Sequence, residues 1–158
     1  MAVESGGRRE HRGPLMVKLS AEVERFRDRP FLKAAMAVSA LSAQADGDVS
    51  LEERYRIDAI LEREPILSGF DTGKAISIFD EYIHALRTEP ERSRRILMAK
   101  IERMAAKPKR ARTLMRVAWL IIAADNRVLP NEVRTFDDLC HALALEPDRV
   151  RSGVVGLE

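Results

Sequence analysis

The chain has 158 residues, of which 46% are hydrophobic, 33% charged and only 5% aromatic, and its formal net charge is +2. That balance excludes a disordered chain and a membrane-spanning one, suits one domain with its own core, and leaves no global field demanding nucleic acid. A lone cysteine, Cys140, excludes an internal disulfide framework and fits a reducing, cytoplasmic setting.

Apolar residues recur at intervals of three and four, and period-two alternation never persists. The expectation is an all-α protein, a compact bundle of about seven helices. Residues 1–13, with three arginines and three glycines, read as a loose tail without a signal core, and 14–158 as one helical domain. Leu15, Leu19, Val23 and Phe26 give the face of a first helix, which Asp28-Arg29-Pro30 breaks. Pro30 suits the first turn of the next, carrying Phe31, Ala34, Ala35, Val38, Leu41 and Ala45. Its Ala and Ser content lets a neighbour pack closely.

The chain then turns at Asp46-Gly47-Asp48, and Ser50 with Glu53 reads as a capping box. The helix it opens carries Tyr55, Ile57, Ile60 and Leu61 and ends before Pro65. Asp71 or Thr72 caps a helix with Ile76, Phe79, Ile83 and Leu86 inside. Thr88-Glu89-Pro90-Glu91 reads as another start, with Thr88 as the cap and Leu97, Ile101 and Met104 as the buried stripe. The basic run Lys107 to Arg112, a solvated loop or a helix start, separates two halves. Leu114, Val117, Ala118, Ile121 and Ile122 follow. Pro130 then opens a helix with Val133, Phe136, Leu139 and Cys140 or Leu143 inside, and Asp148 to Val155 adds a short last helix.

The halves, about 30–64 and 109–143, repeat at a constant offset of 79, from Asp46 to Asp125 and from Glu53 to Glu132. Ala45, Val49 and Asp58 return as Ala124, Val128 and Asp137, and upstream Met36 and Val38 return as Met115 and Val117. The expected architecture has an internal pseudo-twofold repeat of an acidic helix hairpin. Each corner reads Asp-x-x-Val-x-x-x-Glu, with the valine as an inward peg. If the halves face each other, Asp46, Glu53, Asp125 and Glu132 converge. Rigidly placed carboxylates suit a hard divalent cation, calcium or magnesium above others. The competing reading is structural: Glu53 and Glu132 sit in first turns, where negative charge favours the helix dipole, and Asp46-Gly47 is turn chemistry. A standard EF-hand pair does not fit. With Glu53 as its twelfth position, the first and third are Ser42 and Gln44, and in the second copy Ile121 and Ala123.

Leu41 to Leu61, with Ala45-Asp46-Gly47-Asp48-Val49-Ser50-Leu51-Glu52-Glu53-Arg54, resembles the first acidic motif of the TerB tellurite-resistance family. Ile121 to Val150, with Ala123-Ala124-Asp125, Val128, Glu132 and Leu143-Ala144-Leu145, resembles the second. The resemblance covers most of residues 30–150. It implies an all-helical pseudo-symmetric bundle, a cytoplasmic role in tellurite or other chemical stress, and a metal site at Asp46, Glu53, Asp125 and Glu132. The second copy departs from the pattern: Asn126 replaces the usual Gly, Leu129-Pro130 stands where Ser is common, and Arg127 replaces Asp48 and brings positive charge to the corner.

His11, His84 and His141 form no metal spacing, and His84 reads as a surface residue. Cys140 lies on an apolar stripe and reads as a buried small hydrophobe. No phosphate loop or nucleophile elbow occurs, so the protein reads as non-enzymatic. The alternative function is a metal-independent interaction module. It would dock an acidic protein partner or touch a membrane surface through Lys107 to Arg112 and Arg92, Arg94 and Arg95. Without interleaved aromatics, specific nucleic-acid binding is not expected.

Overall fold

Prolines set the boundaries of this protein. In the computed structural model, which describes residues 29–44, 70–123 and 128–155 together with Ala59 and Glu62, there are six helices and no strand among the described residues. They are α1 (Arg29–Gln44), α2 (Thr72–Thr88), α3 (Pro90–Met104), α4 (Pro108–Ala123), α5 (Pro130–Ala142) and α6 (Pro147–Val155). Four of the six open on proline, and α1 has Pro30 second. A proline gives up an N–H that the first turn would leave unbonded anyway, and its φ is already helical. The expected helices of residues 15–27 and 50–64 lie outside the described residues, apart from Ala59 and Glu62.

The hub is α1. Eleven of its sixteen residues are buried, on every side, which marks a helix enclosed by others rather than laid on a surface. It packs against α2, α3, α4 and α5. Ala34, Ala35, Ala37 and Ala40 are buried on it, so neighbouring backbones approach closely. Phe31 is fully buried and stacks on Phe70, centroids 6.1 Å apart and planes within 3°. Ser39 sits inside this apolar shell because its hydroxyl donates to Ala35 O at 2.9 Å.

The predicted stripes fall inward. Leu97, Ile101 and Met104 are buried on α3, and Leu114, Val117, Ala118 and Ile121 on α4. Phe136, Leu139 and Cys140 are buried on α5, and Leu143 packs on the core. On α2 the buried face is wider than expected, adding Ile78 and Tyr82 to Phe79, Ile83 and Leu86, because this helix meets both α1 and α3.

One local expectation needs correction. Thr88 does not cap α3. It is the last residue of α2, and its hydroxyl donates back to His84 O at 3.1 Å. Glu89 alone separates the two helices, and Ser93 Oγ donates across the joint to Ala85 O at 2.8 Å. The run Lys107 to Arg112, a solvated loop or a helix start by sequence, is the second: from Pro108 on it is helix, with Ala111 buried. Asp71 caps α2 as expected, its Oδ1 accepting from Lys74 N at 3.0 Å.

Candidate functional site

The C-terminal end of α1 and the first turn of α5 frame the region where the acidic corners would meet. Glu132 is the one corner acid among the described residues, and Asp46, Glu53 and Asp125 lie outside them. It stands in the first turn of α5 and is half-buried. Its Oε1 accepts from Leu129 N at 3.3 Å. That is one half of a capping box, since Leu129 offers no side-chain acceptor in return. Glu132 thus helps to cap α5, as its position in the first turn suggests. Val128 packs on the core, as the peg of the second corner should.

Two more oxygens bear on this region. Ser42 Oγ and Gln44 Oε1, in the last turn of α1, are buried and accept no hydrogen bond among the described residues. Leu41, on the same turn, shares one groove with Asn131, the neighbour of Glu132. Among the described residues no cluster of three or more His, Cys, Asp or Glu side chains could hold a metal ion.

Cys140 is buried, and its thiol is pushed up to about 12, first by desolvation and then by the Asp137 carboxylate, with Arg151 opposing. It is a thiol and not a thiolate at neutral pH, and so a poor nucleophile. His84 and His141 are exposed on different helices. Tyr82 is also raised to about 12 by burial, with Glu81 adding to it.

One constellation escaped sequence reading. Arg151 of α6 pairs with Asp137 of α5, and its second amine donates to Asp148 at 2.8 Å. Its guanidinium lies over the Trp119 ring, 5.3 Å from the centroid, and Trp119 leans on Phe136 at 4.9 Å. This clamp fixes α6 to α4 and α5. The only signal in the sequence is the Asp148–Arg151 spacing of three. Asp137, the counterpart of Asp58 in the repeat, is fourteen residues from Arg151, and nothing local announces their pairing.

The geometry defines a class first: among the described residues, an all-helical bundle wrapped around one buried helix. Within that class, the model of the family described as tellurite resistance protein TerB matches residues 32–152, most of the chain, so the chain belongs to the TerB family. It is also similar to the tellurium resistance protein TerB of Alcaligenes sp, with 27% identity over 100 residues, 63% of this chain and 82% of that one. No solved structure matches. No helix among the described residues is long and apolar enough to cross a membrane.

Proposed function

We propose that this protein is a non-catalytic, cytoplasmic stress-response protein of the TerB type, acting against tellurite or a related chemical stress. It holds a divalent cation, calcium or magnesium, between its two acidic corners through Asp46, Glu53, Asp125 and Glu132. The observation that carries this reading is the family match over residues 32–152, a span that contains both corners.

Three further observations support it. Met36 and Met115, and Val38 and Val117, the pairs that the offset of 79 relates, are all fully buried. That is what an internal repeat requires. The helices that lead into the corners, α1 and α4, pack on each other, and α5 packs on α1. The donor chemistry also fits: the four carboxylates offer only oxygen, the preference of a hard cation, and Ser42 Oγ and Gln44 Oε1, buried in the last turn of α1, have no partner among the described residues. Arg127, where the first copy has Asp48, makes the second corner less acidic than the first.

A ligand that binds only the folded form raises its stability by about 2.7 kcal/mol at one hundred times its dissociation constant. In a chain of this size that is a rise in Tm of about 5–10 °C. Melting with calcium, magnesium, manganese and zinc should show this rise for the cation that fits, and the double variant Asp46→Asn/Asp125→Asn should lose it. A shift that survives in the double variant, or no shift with any cation, removes the site. Tellurite tolerance of cells carrying either form tests the physiological half.

A second reading, an interaction module without metal, is favoured by the start of α4. Lys107, Lys109 and Arg112 are exposed around its first turns, which hold no acid, at the positive end of the helix dipole. Arg92, Arg94 and Arg95 extend the basic surface on α3. An acidic partner or an anionic membrane surface would relieve that charge. Changing Lys107, Lys109 and Arg112 to Glu should then abolish sedimentation with anionic vesicles or capture of an acidic partner, with the melting behaviour in cations unchanged.

A further inference from the structure

The groove between α1, α3 and α5 has a volume of about 450 Å³. Its floor is apolar: Leu41 and Leu139 are buried to within a few per cent and Met98 to an intermediate degree. Its walls carry two exposed arginines from different helices, Arg94 on α3 and Arg134 on α5. Neither makes an ion pair or hydrogen bond among the described residues. Thr135 and Asn131 add neutral polar groups, and Asp138 is the one carboxylate among the described lining residues.

We propose that this groove binds a small amphiphilic monoanion, a medium-chain carboxylate whose apolar body lies on Leu41, Met98 and Leu139 and whose head group bridges Arg94 and Arg134. Charge complementarity selects the sign of the ligand. Two guanidiniums, on different helices lining one groove with an apolar floor, suit one carboxylate, a planar anion that a guanidinium can hold by paired N–H donors. The groove falls within the range of about 300–1,000 Å³ typical of small-molecule sites. Its shape selects a small ligand over a partner helix. A helix laid in a groove needs an apolar strip several turns long. On α3 the apolar strip is Met98 alone, with Arg94 one turn before it and Glu102 one turn after. On α5 the facing positions are Asn131, Thr135, Asp138 and Ala142. Glu132, the corner acid among the described residues, is not part of the groove's lining.

Titration calorimetry of the full chain with octanoate, decanoate and decyltrimethylammonium, each below its micellar concentration, tests it. Decanoate should bind at one site and tighten by about fourfold for each methylene added from octanoate. Arg94→Gln and Arg134→Gln should each weaken it about tenfold or more and together abolish it, while Asp138→Asn tightens it. All three residues are exposed, so the variants should keep the wild-type far-UV circular dichroism and melting point. The proposal is overturned if decanoate does not bind, if the double arginine variant binds it like wild type, or if the cationic decyl compound binds equally well. The last two outcomes would mark indiscriminate adsorption to an apolar surface.

Discussion

At the scale of single residues, the most informative position is Ala144, the one described non-glycine residue with positive φ, at 59°. It closes α5 in the left-handed conformation of a Schellman motif, with Leu145 N donating to Cys140 O at 2.8 Å and Ala144 N to His141 O at 3.0 Å. A Cβ in that conformation costs about 1 kcal/mol that glycine avoids. Ala144→Gly should therefore stabilise the fold by up to about 1 kcal/mol, because glycine's freer unfolded chain takes part of the gain back. A higher urea midpoint at unchanged m would show it. Cys140 makes a different test. Its thiol is pushed up to about 12, and the Tyr82 hydroxyl likewise to about 12, both above their ordinary values, so each is neutral in the fold at pH values where the unfolded chain already ionises. Both contributions are whole below pH 9 and fall away as pH rises towards 12. A plot of urea midpoint against pH should be flat from 7 to 9 and then decline. At pH 8 Cys140 should resist a thiol reagent such as Ellman's until the chain unfolds. Fast labelling in buffer would show instead that the thiol reaches solvent.

At the scale of elements, the chain punctuates itself. Pro30, Pro90, Pro108, Pro130 and Pro147 mark the helix starts, and a 3.6-residue stripe such as Leu97, Ile101 and Met104 is legible because its period is contained in one segment. What could not be read was the outcome of local competition and contact across helices. The Thr88 hydroxyl could cap the next helix or bond back into its own, and with Pro90 so near it does the second. For Arg151 and Asp137, partners on different helices, the sequence holds no pattern. The clamp itself is testable. Their side chains are 21% and 30% exposed, so water screens the pair, and Asp137→Asn should cost no more than about 1 kcal/mol. Arg151→Met should cost more, since it also removes the guanidinium from Trp119. Trp119 is the only tryptophan in the chain, so its emission reports the loosening of α6 directly. If Arg151→Met leaves both emission and urea midpoint unchanged, the clamp does not hold the helix.

At the scale of the whole molecule, the candidate metal site and the groove differ in how they could be found. The corner acids stood out because the sequence carries a similar motif twice at one offset, and Glu132 shows how a first-turn glutamate can serve a helix cap whether or not it also serves a ligand. The groove joins residues of three helices that share no spacing. Both depend on α1, which packs against α2, α3, α4 and α5 among the described residues. Ala37 is fully buried in that helix. Ala37→Leu adds three carbons where there is no room, at a cost of about 1–3 kcal/mol in displaced neighbours. The alanine run is what permits four helices to approach one, so the strain should spread to all of them and lower the stability of the molecule as a unit. Urea transitions followed by Trp119 emission, which reports α4 and α6, and by far-UV circular dichroism, which reports every helix, should therefore move to lower denaturant together. Separation of the two curves, with one half of the bundle melting before the other, would show that the halves fold independently and that α1 is not their common core.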